Sequence, residues 1–142
     1  MPLINFGSIL NFAEQIETQD QEFYTGLAEN KACADYKTMF QQFALDGKKN
    51  QKTVQRIRRE NVTEMILEGI SNFTKDPYLE KQTDPKTLNA GDALTCARRL
   101  EERADRYYMD AAEKIKALSE VSRALKLIAK KRKAHLKKID QI

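Results

Sequence analysis

Residues 17–29 read ETQDQEFYTGLAE, and residues 101–113 read EERADRYYMDAAE. Each copy sets a glutamate seven residues ahead of a tyrosine and closes on Ala-Glu, pairing Glu17 with Tyr24 and Glu101 with Tyr108. Seven residues are about two turns of α-helix, so carboxylate and phenol share one helix face. Whether that face turns inward decides what the two carboxylates are for.

Apolar positions at alternating steps of three and four extend these stretches into four helical stripes. The first is expected over 8–32, with Leu10, Ala13, Glu17, Asp20, Tyr24 and Leu27 on its face. The second, over 34–60, carries Tyr36, Phe40, Phe43, Gly47, Asn50, Val54 and Ile57. The third, over 89–117 with Asn89 or Asp92 as cap, carries Leu94, Ala97, Glu101, Ala104, Tyr108, Ala111 and Ile115, with Glu101 as its one charge. The fourth, over 120–141 behind Ser119 as cap, carries Val121, Leu125, Ile128, Arg132, His135 and Ile139. Short links within the first and second pairs predict two antiparallel hairpins. The stretch 61–88 is long enough to run the length of a helix as a crossover, with Asn61 to Glu64 opening a short helical start and Asp76-Pro77 and Asp84-Pro85 as breakers. The hairpins match each other as well: Glu17 and Tyr24 align with Glu101 and Tyr108, while Phe40, Phe43, Gly47, Asn50 and Val54 align with Leu125, Ile128, Arg132, His135 and Ile139. The expected architecture is one all-α domain over 1–142, an antiparallel four-helix bundle of two hairpins joined by a long crossover.

Composition agrees. With 142 residues, 41% of them hydrophobic, one core can be buried, and 5 glycines and 3 prolines leave little to interrupt helices. MPLINFGSILNFAEQ lacks the basic start and apolar run of a signal peptide, and no apolar run reaches the length that spans a bilayer, so a cytoplasmic protein without membrane contact is expected. Cys33 and Cys96 form neither a metal-type cluster nor a Cys-x-x-Cys pair, and read as reduced structural thiols. No nucleophilic triad or phosphate loop is visible.

All four stripes are broken near mid-length, where a bundle is driest and an unpaired charge costs most. The breaks are Glu17 and Glu101 singly, Gly47 with Asn50, and Arg132 with His135. Single glutamates on two helices, and pairs spaced by three on the other two, form the layout of a dinuclear carboxylate site in a helical bundle. With its doubled Glu-to-Tyr spacing and stretches such as FYTGLAEN and YYMDAAEKI, the chain resembles the ferritin-like superfamily, and within it the rubrerythrin type, over nearly its whole length. That resemblance implies non-haem iron, chemistry on oxygen or peroxide, and a homodimer formed through helix faces. Any redox activity would use a separate electron donor, since no rubredoxin-like Cys-x-x-Cys pair is present.

The chain departs from the family pattern at three of six ligand positions. Where Glu-x-x-His is expected, the second helix has Gly47-Lys-Lys-Asn50 and the fourth has Arg132-Lys-Ala-His135. Glu17, Glu101 and His135 remain, with Asp20 as a further candidate ligand for iron or another divalent metal and with Tyr24 and Tyr108 as hydrogen-bond donors behind them. Arg132 puts a permanent cation where metal charge would sit. The sequence therefore reads as a rubrerythrin-like bundle with a degenerate iron site, metal-poor or metal-free, serving as a structural or partner-binding protein; the alternative is a mono- or dinuclear iron oxidoreductase. A third reading comes from RALKLIAKKRKAHLKK, residues 123–138, with eight cations and no acid. It would make the last helix a polyanion-binding surface, but no aromatic residues interleave the cations for base stacking, and a solvated outer face is the simpler expectation, with nucleic acid not a partner.

Overall fold

The computed structural model describes residues 5–61, 70 and 72–142. Among these, the chain is all-helical, with four long helices: α1 (Phe6–Ala28), α2 (Lys37–Glu60), α3 (Ala90–Lys114) and α4 (Ser119–Asp140). The helical start expected at Asn61 to Glu64 lies, beyond Asn61, outside the described residues.

Several helix ends differ from expectation, each for a local reason. Helix α1 starts earlier because Asn5 forms a capping box: its side chain accepts from Ser8 N at 2.8 Å, and its own N–H donates to Ser8 Oγ at 3.2 Å. It also stops at Ala28 instead of reaching 32. Asn30 takes extended backbone and caps a short 3₁₀ stretch, Lys31–Tyr36, by accepting from Ala32 N, so α2 begins only at Lys37. The Asn30 amide then donates to the carbonyls of Pro85 and Leu88, both at 2.8 Å, which ties the stretch ahead of α3 to the end of α1. Asn89 caps α3, accepting from Asp92 N at 2.8 Å. The cap expected at Ser119 is absent. Leu118 holds that position without a side-chain bond, and Ser119 is the first helical residue.

Helix α1 packs on α2, and α3 on α4. Asn11, Glu14 and Glu17 meet Arg58, Gln55 and Asn50, so partner numbers fall along α2 as they rise along α1. Arg98, Glu101 and Ala112 likewise meet Asp140, Arg132 and Ser122.

The described stretch ahead of α3 is packed against the helices. Tyr78 is buried in an aromatic group with Phe73 and Tyr107, and its hydroxyl donates to Asp110 at 2.5 Å. Gly26 is required where Pro85 crosses α1, because a Cβ there would lie 2.3 Å from Pro85 Cγ.

The apolar core is split in two. One cluster joins Ile9, Leu10, Ala13 and Ile16 to Val54, Tyr107, Tyr108, Leu125 and Ile128; the other joins Tyr24 and Leu27 to Phe40, Phe43, Ala97, Leu100 and Ile139. A belt of buried polar groups lies between them: Glu17, Asp20, Asn50, Glu101, Arg103, Arg132 and His135.

Candidate functional site: a buried charge network

Helix periodicity aims the belt inward. Glu17 and Glu101 are fully buried and Arg132 is 2% exposed, so the shared Glu-to-Tyr face does turn toward the core. Each carboxylate receives the phenol of the opposite copy: Tyr108 donates to Glu17 at 2.6 Å and Tyr24 to Glu101 at 2.7 Å. The sevenfold spacing thus places each tyrosine on the far helix's glutamate, tying α1 to α3 twice.

The Arg132 guanidinium sits among three carboxylates. Nη1 donates to Glu101 Oε1 at 2.8 Å, and Nη2 lies 2.5 Å from Asp20 Oδ2 and 3.3 Å from Glu17 Oε2. His135 adds a second bridge, with Nδ1 2.9 Å from Glu101 and Nε2 2.8 Å from Asp46. Its ring stacks on Phe43, with centroids 3.9 Å apart. Both ring nitrogens therefore face carboxylates, one on α3 and one on α2. Asn50 completes the set, donating to Glu17 Oε1 at 3.1 Å from α2.

Two members were not expected from the sequence. Arg103, 2% exposed, donates to Asp20 Oδ1 at 2.6 Å and to the Tyr78 carbonyl at 3.1 Å. Glu101 remains the one charge of its stripe, and Arg103 is a second buried charge of α3 beside it. The signal was a second stripe, Cys96, Leu100, Arg103 and Tyr107, stepping four, three and four beside the first; all four are buried, whereas Leu94 of the expected stripe is only partly so. Asp46 carried no such signal, since it stands at the margin of the α2 face and becomes a partner only because α4 brings His135 alongside.

Three buried carboxylates share the two guanidiniums, and their carboxyls are shifted in different directions. Burial drives the Glu17 carboxyl above its usual range, and the opposing Arg132 charge and Tyr108 hydrogen bond do not cancel it. Burial raises Asp20 as well, against Arg132 and Arg103. Glu101 goes the other way: burial would raise it, but Arg132 and the His135 hydrogen bond outweigh that and hold it low. The Glu17 and Asp20 carboxyls are thus shifted toward the protonated form and the Glu101 carboxyl toward the ionised one. At the margin, burial is likewise outweighed at Asp46, whose carboxyl is lowered by the hydrogen bonds from His135 and Gln42. Among the described residues, Glu101 Oε2, Asn50 Oδ1 and the Nε atoms of Arg103 and Arg132 have no hydrogen-bond partner.

Glu17, Asp20, Glu101 and His135, the four candidate ligands, do converge, but on a guanidinium. Both Asp20 oxygens are held by arginine, both His135 nitrogens by carboxylates, and Glu101 Oε1 by Tyr24, Arg132 and His135. No group of three or more His, Cys, Asp or Glu is disposed to hold a metal ion among the described residues. Gly47 contributes no donor, and a Cβ there would meet Gln21 Cβ at 3.1 Å, so α1 and α2 approach closely at that point. As arranged, these side chains do not fit a divalent metal pair, because Arg132 stands among the carboxylates that would bind it. Cys33 and Cys96 are both free and buried. Comparison of the chain with protein-family models, with curated proteins and with solved structures gives no match.

Proposed function

We propose that the chain is a ferritin-like, rubrerythrin-type bundle, antiparallel and built of two hairpins joined by the crossover, in which the Arg132 guanidinium replaces the metal charge of the family's iron pair. The observation that carries this reading is Arg132 in contact with Glu17, Asp20 and Glu101. The falling partner numbers along α2 and α4 support the antiparallel arrangement.

In this reading the centre of the bundle is structural. Arg132 links α4 to α1 and α3, His135 links α4 to α2 and α3, and Asn50 links α2 to α1. Such a belt gives every helix a charged partner at one height only, so sliding any helix by a turn would leave buried charges unpaired. The bundle then acts as a rigid scaffold or partner-binding unit, with a cytoplasmic setting and a homodimer as further parts of the proposal. No described helix is long and apolar enough to cross a membrane.

The test is metal analysis of protein purified without chelator, together with thermal unfolding in the presence and absence of ferrous iron under anaerobic conditions. The expected result is no stoichiometric iron and no change in Tm. One or two irons per chain, with a Tm that rises on loading, would show that Arg132 swings aside and would return the protein to the iron oxidoreductases.

A further inference from the structure

Charge is divided unevenly among the four helices. Helix α2 carries seven Lys or Arg against two acids and α4 eight against two, an excess of eleven positive charges in a chain whose net charge is +4. Helix α1 has four acids and no cation, and α3 has six acids against five cations. The stretch ahead of α3 packs on α1 and α3, where Tyr78 meets Tyr107 and Asp110 and Pro85 crosses Gly26. Among the described residues, the side formed by α2 and α4 is left uncovered.

Contacts between these two helices show which side chains share that face. Asp46 of α2 meets His135 of α4 at 2.8 Å, and Phe43 stacks on the same imidazole. On α4, Lys131 and Lys138 stand four residues before and three after His135, so they lie on the side turned to α2. On α2, Lys49 stands three residues after Asp46, with Arg56 two turns further on. Leu45 precedes Lys49 by four residues, and Leu127 precedes Lys131 by four. All six of these lysine, arginine and leucine side chains are exposed. Outside the central network, the ion pairs that α2 and α4 make with described residues run to α1 and α3: Arg58 to Glu14, Asp140 to Arg98 and Lys133 to Asp105. The four cations of the shared face have no such ion pair.

The face itself selects among anionic partners. Leu45 and Leu127 are 52% and 55% exposed and call for apolar cover, which a phosphate backbone does not give, and the aromatic residues of α2 and α4, Phe40 and Phe43, are buried and offer nothing for base stacking. A bilayer of anionic headgroups would press on acids as well as cations. Asp46 is part-exposed at mid-face, and Glu60 and Glu120 are exposed beyond it. A polypeptide can set a neutral or basic residue against each of these acids, and a helix can lie along the groove between two packed helices. We propose that the face shared by α2 and α4 binds an acidic amphipathic helix of a partner protein, its carboxylates on Lys49, Arg56, Lys131 and Lys138 and its apolar side on Leu45 and Leu127. This names a partner for the partner-binding unit proposed above and rests on that reading, whereas iron content and Tm test the centre of the bundle separately, so either can fail alone.

The test is fluorescence anisotropy of a labelled synthetic peptide, with leucines at helical steps of three and four flanked by glutamates, titrated with the full chain at two salt concentrations. Saturable one-to-one binding is expected at physiological salt, weakening as salt rises. A peptide with glutamine in place of glutamate, and one of the same composition in scrambled order, should each bind about tenfold more weakly or worse. The double variant Lys49→Glu with Lys131→Glu should lose about tenfold and Leu127→Ser about threefold, both with the circular dichroism of the folded wild type because these positions are exposed. Lys81→Glu with Lys116→Glu removes the same charge at exposed positions outside α2 and α4, and should stay within about twofold. The proposal is overturned if no binding saturates, if the glutamine or scrambled peptide binds as well, or if the distant double reversal weakens binding as much as the facing one. Tighter binding of duplex DNA or phosphatidylserine vesicles than of the peptide at physiological salt would also overturn it, since the occupant would then be another polyanion.

Discussion

Replacing Arg132 by methionine removes the cation that three buried carboxylates share. Methionine roughly fills the volume of the arginine stem, so the main loss is electrostatic and little cavity is created. Asp20 would retain Arg103, and Glu101 would retain His135 and Tyr24, but two hydrogen bonds and the 3.3 Å contact with Glu17 would disappear. Breaking a buried ion pair by deleting one partner costs about 3–5 kcal/mol, and that range is expected here near neutral pH. The pH dependence separates this cause from simple packing loss. Arg132 helps hold the Glu101 carboxyl low, so in the wild type this group contributes stability above its unfolded value of about 4.5 and loses it as pH falls through the lower folded value. Without Arg132 the folded carboxyls rise and take up protons at higher pH. The penalty must therefore shrink as pH falls from 7 toward 5. Urea unfolding of both proteins at pH 7 and pH 5, compared through midpoints at equal m, measures it. A penalty below about 1 kcal/mol, or one equal at both pH values, would refute the claim that the guanidinium balances the carboxylates.

The two repeated glutamates should respond in opposite senses. Burial raises the Glu17 carboxyl, so its ionisation costs stability as pH rises above about 4.5, and Glu17→Gln should gain on the wild type with increasing pH, with Asn50 Oδ1 able to turn and accept the new amide N–H. Glu101→Gln keeps an amide oxygen as acceptor but removes the negative charge that faces Arg132, and should cost about 3–5 kcal/mol at pH 7, read from the same urea curves. Gly26→Ala adds a Cβ that would stand 2.3 Å from Pro85, so the better helix propensity of alanine is outweighed by displacement of the Pro85 stretch, with a net loss of about 1–3 kcal/mol and faster proteolysis near 80–88. Charge reversal at Lys130, Lys133 and Lys137 should leave Tm within about 2 °C, because these side chains are exposed and, among the described residues, only Lys133 has an acidic neighbour close by, Asp105 at 3.7 Å. DNA or anionic-vesicle binding that persists at physiological salt and is abolished by those reversals would instead make α4 an interaction surface.

The sequence by itself determined the helices and which way their faces point. A buried side chain must recur every three or four residues whatever its partner, so the stripes through Glu17, Asp20, Tyr24, Glu101, Tyr108, Arg132 and His135 were legible before any contact was known, and all seven lie in the core. Helix ends were less legible, because a cap depends on one side chain's local bond: Asn5 and Asn30 move the ends of α1 and Ser119 does not cap α4. Only the tertiary structure decided the partners. Periodicity places Arg132 on an inner face but cannot say whether its guanidinium reaches α1, α3 or both; that depends on the distance and angle at which α4 packs. The same dependence hid Asp46, which matters because His135 comes within 2.8 Å of it from another helix. Arg103 was masked differently, since an arginine on a flanking stripe is ordinarily solvated, and it is buried here because the Tyr78 carbonyl and Asp20 close over it from two other parts of the chain. Hydrophobic patterning is a property of each helix alone, whereas charge pairing belongs to the space between helices, and that space exists only once the bundle has closed.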